Sequence, residues 1–268
     1  MPDTTVHLPR TVWQQGEQQQ DTDPVVQEAP VALVYNGVSH AVMMATPADL
    51  ADLALGFSLS ERILDHRNQL LGIDVEERDQ GYELAMEITA EPFERLKFRR
   101  RSLTGRTGCG LCGVESLAQA IATPQRVESS LQLPNEAIQR AVEALGAVQE
   151  LRALTGGVHG AAWCNTRGEI LVLREDVGRH NALDKLLGVM AAQALDTNGF
   201  VLLTSRLSYE MAAKAAACQI PVLAAVSAPT ALAVKQGTQA NITLVGFVQR
   251  GRQVVYCGAQ RIVEGELE

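Results

Sequence analysis

Positive charge is in short supply in this sequence: 23 lysines and arginines stand against 31 aspartates and glutamates, a formal net charge of −8. Nucleic-acid binding needs a basic surface that displaces counterions from phosphate. The deficit argues against a general nucleic-acid partner, while a local basic patch could still hold a small anion. Aromatic residues are scarce as well, at 4%. With 46% of residues apolar, the core has to be built from Ala, Val and Leu. No apolar run approaches the ~18 residues of a membrane span. The N-terminus lacks the basic stretch and apolar core of a secretory signal. A cytoplasmic protein without membrane contact is expected. The cysteines number five, an odd count. In a reducing compartment such thiols are reactive, metal-bound or buried more often than disulfide-linked.

At 268 residues, two domains are the reasonable expectation. Residues 1–30 are polar and rich in Gln and Asp and read as a mobile arm. Residues 31–123 read as a small α+β domain. Within it, Asn36-Gly37 between apolar runs marks a two-residue hairpin. Thr46-Pro47 with Asp49 has the spacing of a helix start. Strands follow at 71–76 and 82–89. The run Lys97-Phe98-Arg99-Arg100-Arg101 and the glycine-rich residues after it read as a loop, with a helix over 114–121. Residues 124–134 read as a linker. Residues 135–268 alternate strands with helices, beginning with a helix over 135–154. Their continuous apolar strands predict a partly parallel sheet covered by helices, so the fold class is α/β.

Cys109-Gly-Leu-Cys112 places two thiols one turn apart, beside Arg99, Arg100, Arg101 and Arg106. Nearby cations and a helix N-terminus stabilise a thiolate, which is the nucleophilic form. Such a pair could carry a sulfane sulfur. It could equally be half a zinc site or a redox dithiol. Cys164, Cys218 and Cys257 offer no paired spacing for zinc and read as small buried hydrophobes.

His159 follows Gly156-Gly157, which suggests a tight turn that exposes it for catalysis or binding, though a lone histidine is more often structural. The charge-dense stretch Arg174–Lys185 ends a strand and opens a helix. Mutual ion pairing and a polar pocket both explain it. Thr204, Ser205 and Ser208 occupy a second strand-to-helix junction, and Ser227 to Thr230 a third. Open α/β sheets bind ligands at the carboxyl ends of their strands, and helix N-termini favour anions. If the three junctions share one edge, they form one pocket.

Five motifs occur in order: Gly108-Cys-Gly-Leu-Cys-Gly113, Gly156-Gly-Val-His-Gly160, Arg174 to Lys185, Thr204 to Met211 and Ala228 to Lys235. Together they resemble the FdhD family, the formate dehydrogenase accessory sulfurtransferases, over roughly residues 30 to 260. The resemblance implies that a cysteine desulfurase loads Cys109 with a persulfide. It further implies that the carrier sulfurates a bis(molybdopterin guanine dinucleotide) molybdenum cofactor needed by formate dehydrogenase. A homodimer and a cytidine-deaminase-like, three-layer second half are implied too. So is a guanine site at Phe247-Val248-Gln249-Arg250-Gly251-Arg252. The acid/base Glu and the zinc thiols of deaminases are absent, since the nearest counterparts are His159-Gly-Ala161 and Ser205-Arg-Leu-Ser208. No zinc is expected. The rival functions are a dithiol–disulfide oxidoreductase and a cofactor chaperone that moves no sulfur.

Overall fold

The computed structural model of the protein describes residues 4–104 and 123–265. Its first element departs from the expected arm. Strands β1 (Thr5–Gln14) and β2 (Glu17–Val26) pair antiparallel as a hairpin, turning at Gln15-Gly16, both at positive φ. Strand β1 alternates Val6, Leu8 and Val12, but its partner β2 is polar and Gln-rich and offers no matching apolar face. Most of its side chains face solvent, Trp13 at 68% exposure.

A four-stranded sheet follows, with strand order β4-β3-β6-β5. It comprises β3 (Ala29–Tyr35), β4 (Val38–Ala45), β5 (Leu70–Arg78) and β6 (Gly81–Ile88). The β3–β4 turn is the expected one: Asn36 and Gly37 have φ of 46° and 77°, as a two-residue hairpin requires. Helices α1 (Leu50–Ser60) and α2 (Ala90–Thr104) accompany this sheet. Leu53 and Leu96 pack with Val31, Leu33, Tyr35, Leu84 and Met86 in one core.

Two local expectations fail here. Helix α1 starts at Leu50 behind a left-handed Asp49, and Thr46 does not cap it. Thr46 instead donates its N–H to Asp176 Oδ2 (3.0 Å), and its hydroxyl accepts from Val177 N–H (3.2 Å). The basic run from Lys97 to Arg101 lies in helix α2, not in a loop. Phe93 and Leu96 anchor that helix on the core, and ion pairs Glu91–Arg95 and Glu94–Lys97 support it at helical spacing.

The second sheet has six strands in the order β13-β12-β11-β10-β8-β9. The strands are β8 (His159–Asn165), β9 (Ile170–Asp176), β10 (Gly199–Leu203), β11 (Val222–Ala225), β12 (Thr243–Gln249) and β13 (Arg252–Cys257). Strands β10, β11 and β12 run parallel, whereas β8 and β13 are antiparallel to their neighbours. Helix α3 (Asn135–Val148) covers one face through Ile138, Ala141 and Leu145. Helices α5 (Arg179–Ala192), α6 (Tyr209–Ala217) and α7 (Ala231–Gln239) cover the other, against Trp163, Val201, Leu203 and Leu223. Strand β10 is buried on both faces, which explains its unbroken apolar run.

The single helix expected over 135–154 is broken at Gln149, after which α4 (Glu150–Thr155) begins. Nor is the stretch at 124–134 a free linker. Val127, Leu131 and Leu133 are buried, and β7 (Leu133–Pro134) pairs with β14 (Ile262–Val263).

The two sheets are joined by the crossing of α1 and α5. A Cβ placed on Gly56 would lie 1.7 Å from Asp184 O, and one on Gly188 would lie 1.9 Å from Asp52 O. Only glycine permits that approach. Around it, Lys185 and Asp176 form an ion pair at 2.6 Å with both side chains fully buried. Lys185 also donates to Thr46 O, and Arg174 pairs with Asp52 at 2.8 Å. Ser60 and Lys214 both donate to Asp184. Ion pairing thus accounts for these charges, within the stretch for Asp176 with Lys185 and outside it for Arg174 with Asp52 and Asp184 with Lys214.

Candidate ligand-binding edge

Strands β9, β10, β11 and β12 all end at one edge of the second sheet, and β8, running the other way, begins there at His159. Helices α5, α6 and α7 start at that same edge. The three junctions expected from sequence therefore do converge.

Four of their hydroxyls already hold the edge together. Thr204 Oγ1 accepts from Gly160 N–H (2.8 Å), Thr230 Oγ1 caps α7 by accepting from Ala233 N–H (3.2 Å), Ser208 Oγ donates to Glu210 (3.1 Å) and Ser205 Oγ donates to Arg206 O (3.2 Å). The loops interlock as well: Thr230 N–H donates to Leu207 O and Phe247 N–H to Ser227 O. What faces outward is different. His159 is half-buried at the start of β8, not on an exposed turn. Burial, with Arg179, Arg152 and His180 nearby, holds its pKa below the ordinary histidine value.

Phe247, Val248, Gln249, Arg250, Gly251 and Arg252 form the end of β12, a turn and the start of β13. The register slips between Gly246 and Gln249, and Phe247 sits at φ 50°, a region that bulky residues avoid. This bulge turns Phe247 out of the core to 37% exposure, where a strand aromatic is normally buried. Its ring lies 6.4 Å from that of Tyr256 and 5.5 Å from the Arg252 guanidinium. Strain of this kind concentrates where a ligand is gripped. Arg250 points away, toward Glu143 at 3.3 Å, and Val248 is buried. Tyr256 escaped the sequence reading because its place beside Phe247 depends on the slipped register.

A cavity of about 440 Å³ opens beside the edge between α1, α5 and α6. His180 and Glu210 meet there at 3.0 Å, with Tyr209, Phe57 and Lys214 in the walls.

Cys109, Cys112 and Arg106, with the helix expected over 114–121, lie outside the described residues. The other three thiols are inside them. Burial pushes the Cys164 and Cys218 thiols up to about 12 and raises that of Cys257. At pH 7.5 the first two are almost entirely protonated, and a protonated thiol is a poor nucleophile. Iodoacetamide applied to the folded protein should leave Cys164 and Cys218 unmodified by peptide mass mapping. Labelling of either at the rate of a free thiol would contradict their burial. Among the described residues no group of three or more His, Cys, Asp or Glu is arranged to hold a metal ion. Among them, too, no helix is long and apolar enough to cross a membrane.

The fold and this edge define an α/β protein whose strand-to-helix junctions gather at the carboxyl ends of a parallel sheet core. Residues 26–263 match the model of the FdhD/NarQ family, and the chain belongs to that family. It is 54% identical to a "Sulfur carrier protein FdhD" of Cupriavidus necator over 251 residues, 93% of this chain and 87% of that one. It is 52% identical to a protein of the same name from Xanthomonas euvesicatoria pv. vesicatoria, over 90% of this chain and 86% of the relative. A crystal structure from Desulfotalea psychrophila, described provisionally as a formate dehydrogenase accessory protein, superimposes with a TM-score of 0.75. It covers 97% of this chain and all of its own at 23% identity, and so shares the fold.

Proposed function

We propose that this protein is a sulfur carrier for formate dehydrogenase maturation. In this reading Cys109 accepts a persulfide sulfur from a cysteine desulfurase, with Cys112 as the second thiol. The sulfur then passes to the bis(molybdopterin guanine dinucleotide) molybdenum cofactor, which is cargo and not a resident group. The carrier works in the cytoplasm as a homodimer and holds no zinc. A cytidine-deaminase-like second half belongs to the same reading. The observation that carries it is the match over residues 26–263 together with relatives above 50% identity that are named sulfur carriers. The raised pKa of the Cys164, Cys218 and Cys257 thiols supports it, since that leaves the Cys109–Cys112 pair as the natural nucleophile. Incubation with a desulfurase and cysteine, followed by intact mass, tests it. A persulfide adds one sulfur atom, whereas a dithiol–disulfide oxidoreductase would show a disulfide two hydrogens lighter.

The guanine end of the cargo is assigned to Phe247–Arg252, with Phe247 and Tyr256 offering faces for a flat base and Arg252 a charge. GDP should bind by calorimetry at fixed salt at least ~10-fold more tightly than ADP, the equivalent of ~1.4 kcal/mol. Phe247→Ala should weaken GDP binding by a similar factor. Equal affinities for the two nucleotides would remove guanine recognition from this loop.

A further inference from the structure

A second cavity, of about 550 Å³, lies at the end of α5 and α6 opposite the strand-to-helix junctions. That volume falls in the range of small-molecule sites, which favour the seams between units of a fold. Its walls come from the helices of both sheets. Leu59 and Leu64 belong to α1 and the chain after it, Leu187 and Met190 to α5, and Ile220 follows α6. Leu64, Leu187, Met190 and Ile220 are all buried, so the floor is apolar.

Three helices end at this cavity. Helices α1, α5 and α6 each turn off through a left-handed residue, Arg62 at φ 57°, Ala194 at 50° and Gln219 at 58°. Glycine is the usual residue at such a place. Part of each last turn is closed internally. Ile63 N–H donates to Ser58 O, Leu195 N–H to Met190 O and Ile220 N–H to Ala215 O. The negative ends of three helix dipoles still surround the floor and disfavour an anion at depth.

The mouth has the opposite character. Arg62 and Arg67 stand there exposed, and among the described residues neither pairs with a carboxylate. Asp65, the one acid among the described lining residues, is held by Arg95 at 2.7 Å. In a chain of net charge −8, two uncompensated guanidiniums above an apolar floor are the complement of an acid with an apolar body. A guanidinium also matches the planar fork of a carboxylate.

We propose that this cavity binds a small amphipathic carboxylate, its apolar body on the floor and its head group on Arg62 and Arg67. The helix ends fix that orientation, since they repel the charge that the arginines attract. The site shares no residue with the Cys109–Cys112 pair or with Phe247–Arg252, and it goes beyond the sulfur-carrier reading.

Decanoate below its micelle concentration is the probe, added to the full chain carrying carbon-13 methionine methyl groups. The Met190 methyl signal, identified through Met190→Leu, should shift toward saturation. Met44, 47% exposed on β4 and outside the cavity, should not shift. By calorimetry at fixed ionic strength, hexanoate should bind at least ~10-fold more weakly than decanoate, because four fewer CH₂ groups are buried. Replacing both exposed arginines, as Arg62→Gln with Arg67→Gln, should weaken decanoate at least ~5-fold, as two solvent-exposed ion pairs allow. The same double variant should bind the neutral analogue decanol as the parent does. A Met190 signal that stays fixed up to the micelle concentration overturns the site without any variant. Equal shifts at Met44 and Met190 would mean non-specific adsorption and overturn it too. Undiminished decanoate binding by the double variant removes recognition of the acid, and the proposal with it.

Discussion

Cys109→Ala should reduce persulfide loading to background and leave formate dehydrogenase unactivated by this carrier. The chemistry allows no partial substitute, because the sulfane sulfur must be held covalently on a thiolate. Cys164 and Cys218 cannot stand in, with thiols raised to about 12 by burial. Cys257 sits on β13, where its thiol is already raised and donates to Ile242 O at 3.3 Å. Cys112→Ala should load more weakly than the parent but above background, since a second thiol assists release or protection and not capture. Labelled cysteine with a desulfurase measures both variants in one assay. Normal loading of Cys109→Ala would end the assignment, and activation of the client by that variant would favour a chaperone that moves no sulfur.

Gly188→Ala should destabilise the fold by about 3 kcal/mol or more, a cost in the range of overpacked cores with backbone shifts. The added methyl would meet Asp52 O at 1.9 Å, and the obstacle is backbone that cannot rotate away. Separating α1 from α5 would also stretch the Arg174–Asp52 and Ser60–Asp184 contacts. Gly146→Ala is the control of opposite sign. That glycine lies in helix α3 with nothing within 4 Å of the new Cβ. Relief of its backbone entropy should stabilise by about 0.5–1 kcal/mol. Urea unfolding of both variants beside the parent gives the answer. A Gly188→Ala midpoint equal to the parent's would refute the close crossing.

The sequence spoke clearly where signals were local. Asn36-Gly37 needs nothing beyond its own backbone to make a turn. The junctions at Thr204 and Thr230 could be placed on one edge because successive parallel strands with helical crossovers return to the same side. It misled where a residue's partner lay far along the chain. Thr46 has the chemistry of a cap, yet it serves Asp176, 130 residues away. Asp184 and Lys185 looked equally able to line a pocket or to pair, and their partners Lys214 and Asp176 lie on other elements that only the fold brings near. The β1–β2 hairpin was missed because β2 is Gln-rich and shows no apolar face to match the alternating Val6, Leu8 and Val12 of β1. The exposure of Phe247 could not be read there, because a register slip is invisible in an alternating pattern. The basic run before Cys109 gave no hint of its helix.

The scarcity of aromatics has a practical optical consequence. The chain has two tryptophans, and they occupy opposite extremes. Trp13 projects from the hairpin at 68% exposure, and Trp163 is 1% exposed on β8 of the second sheet, its ring against Gly199. The emission of the folded protein is thus the sum of a red, quencher-accessible component and a blue, protected one. Iodide silences the first and leaves the second, so a single quenched spectrum reports the sheet that carries the ligand edge without interference from the hairpin.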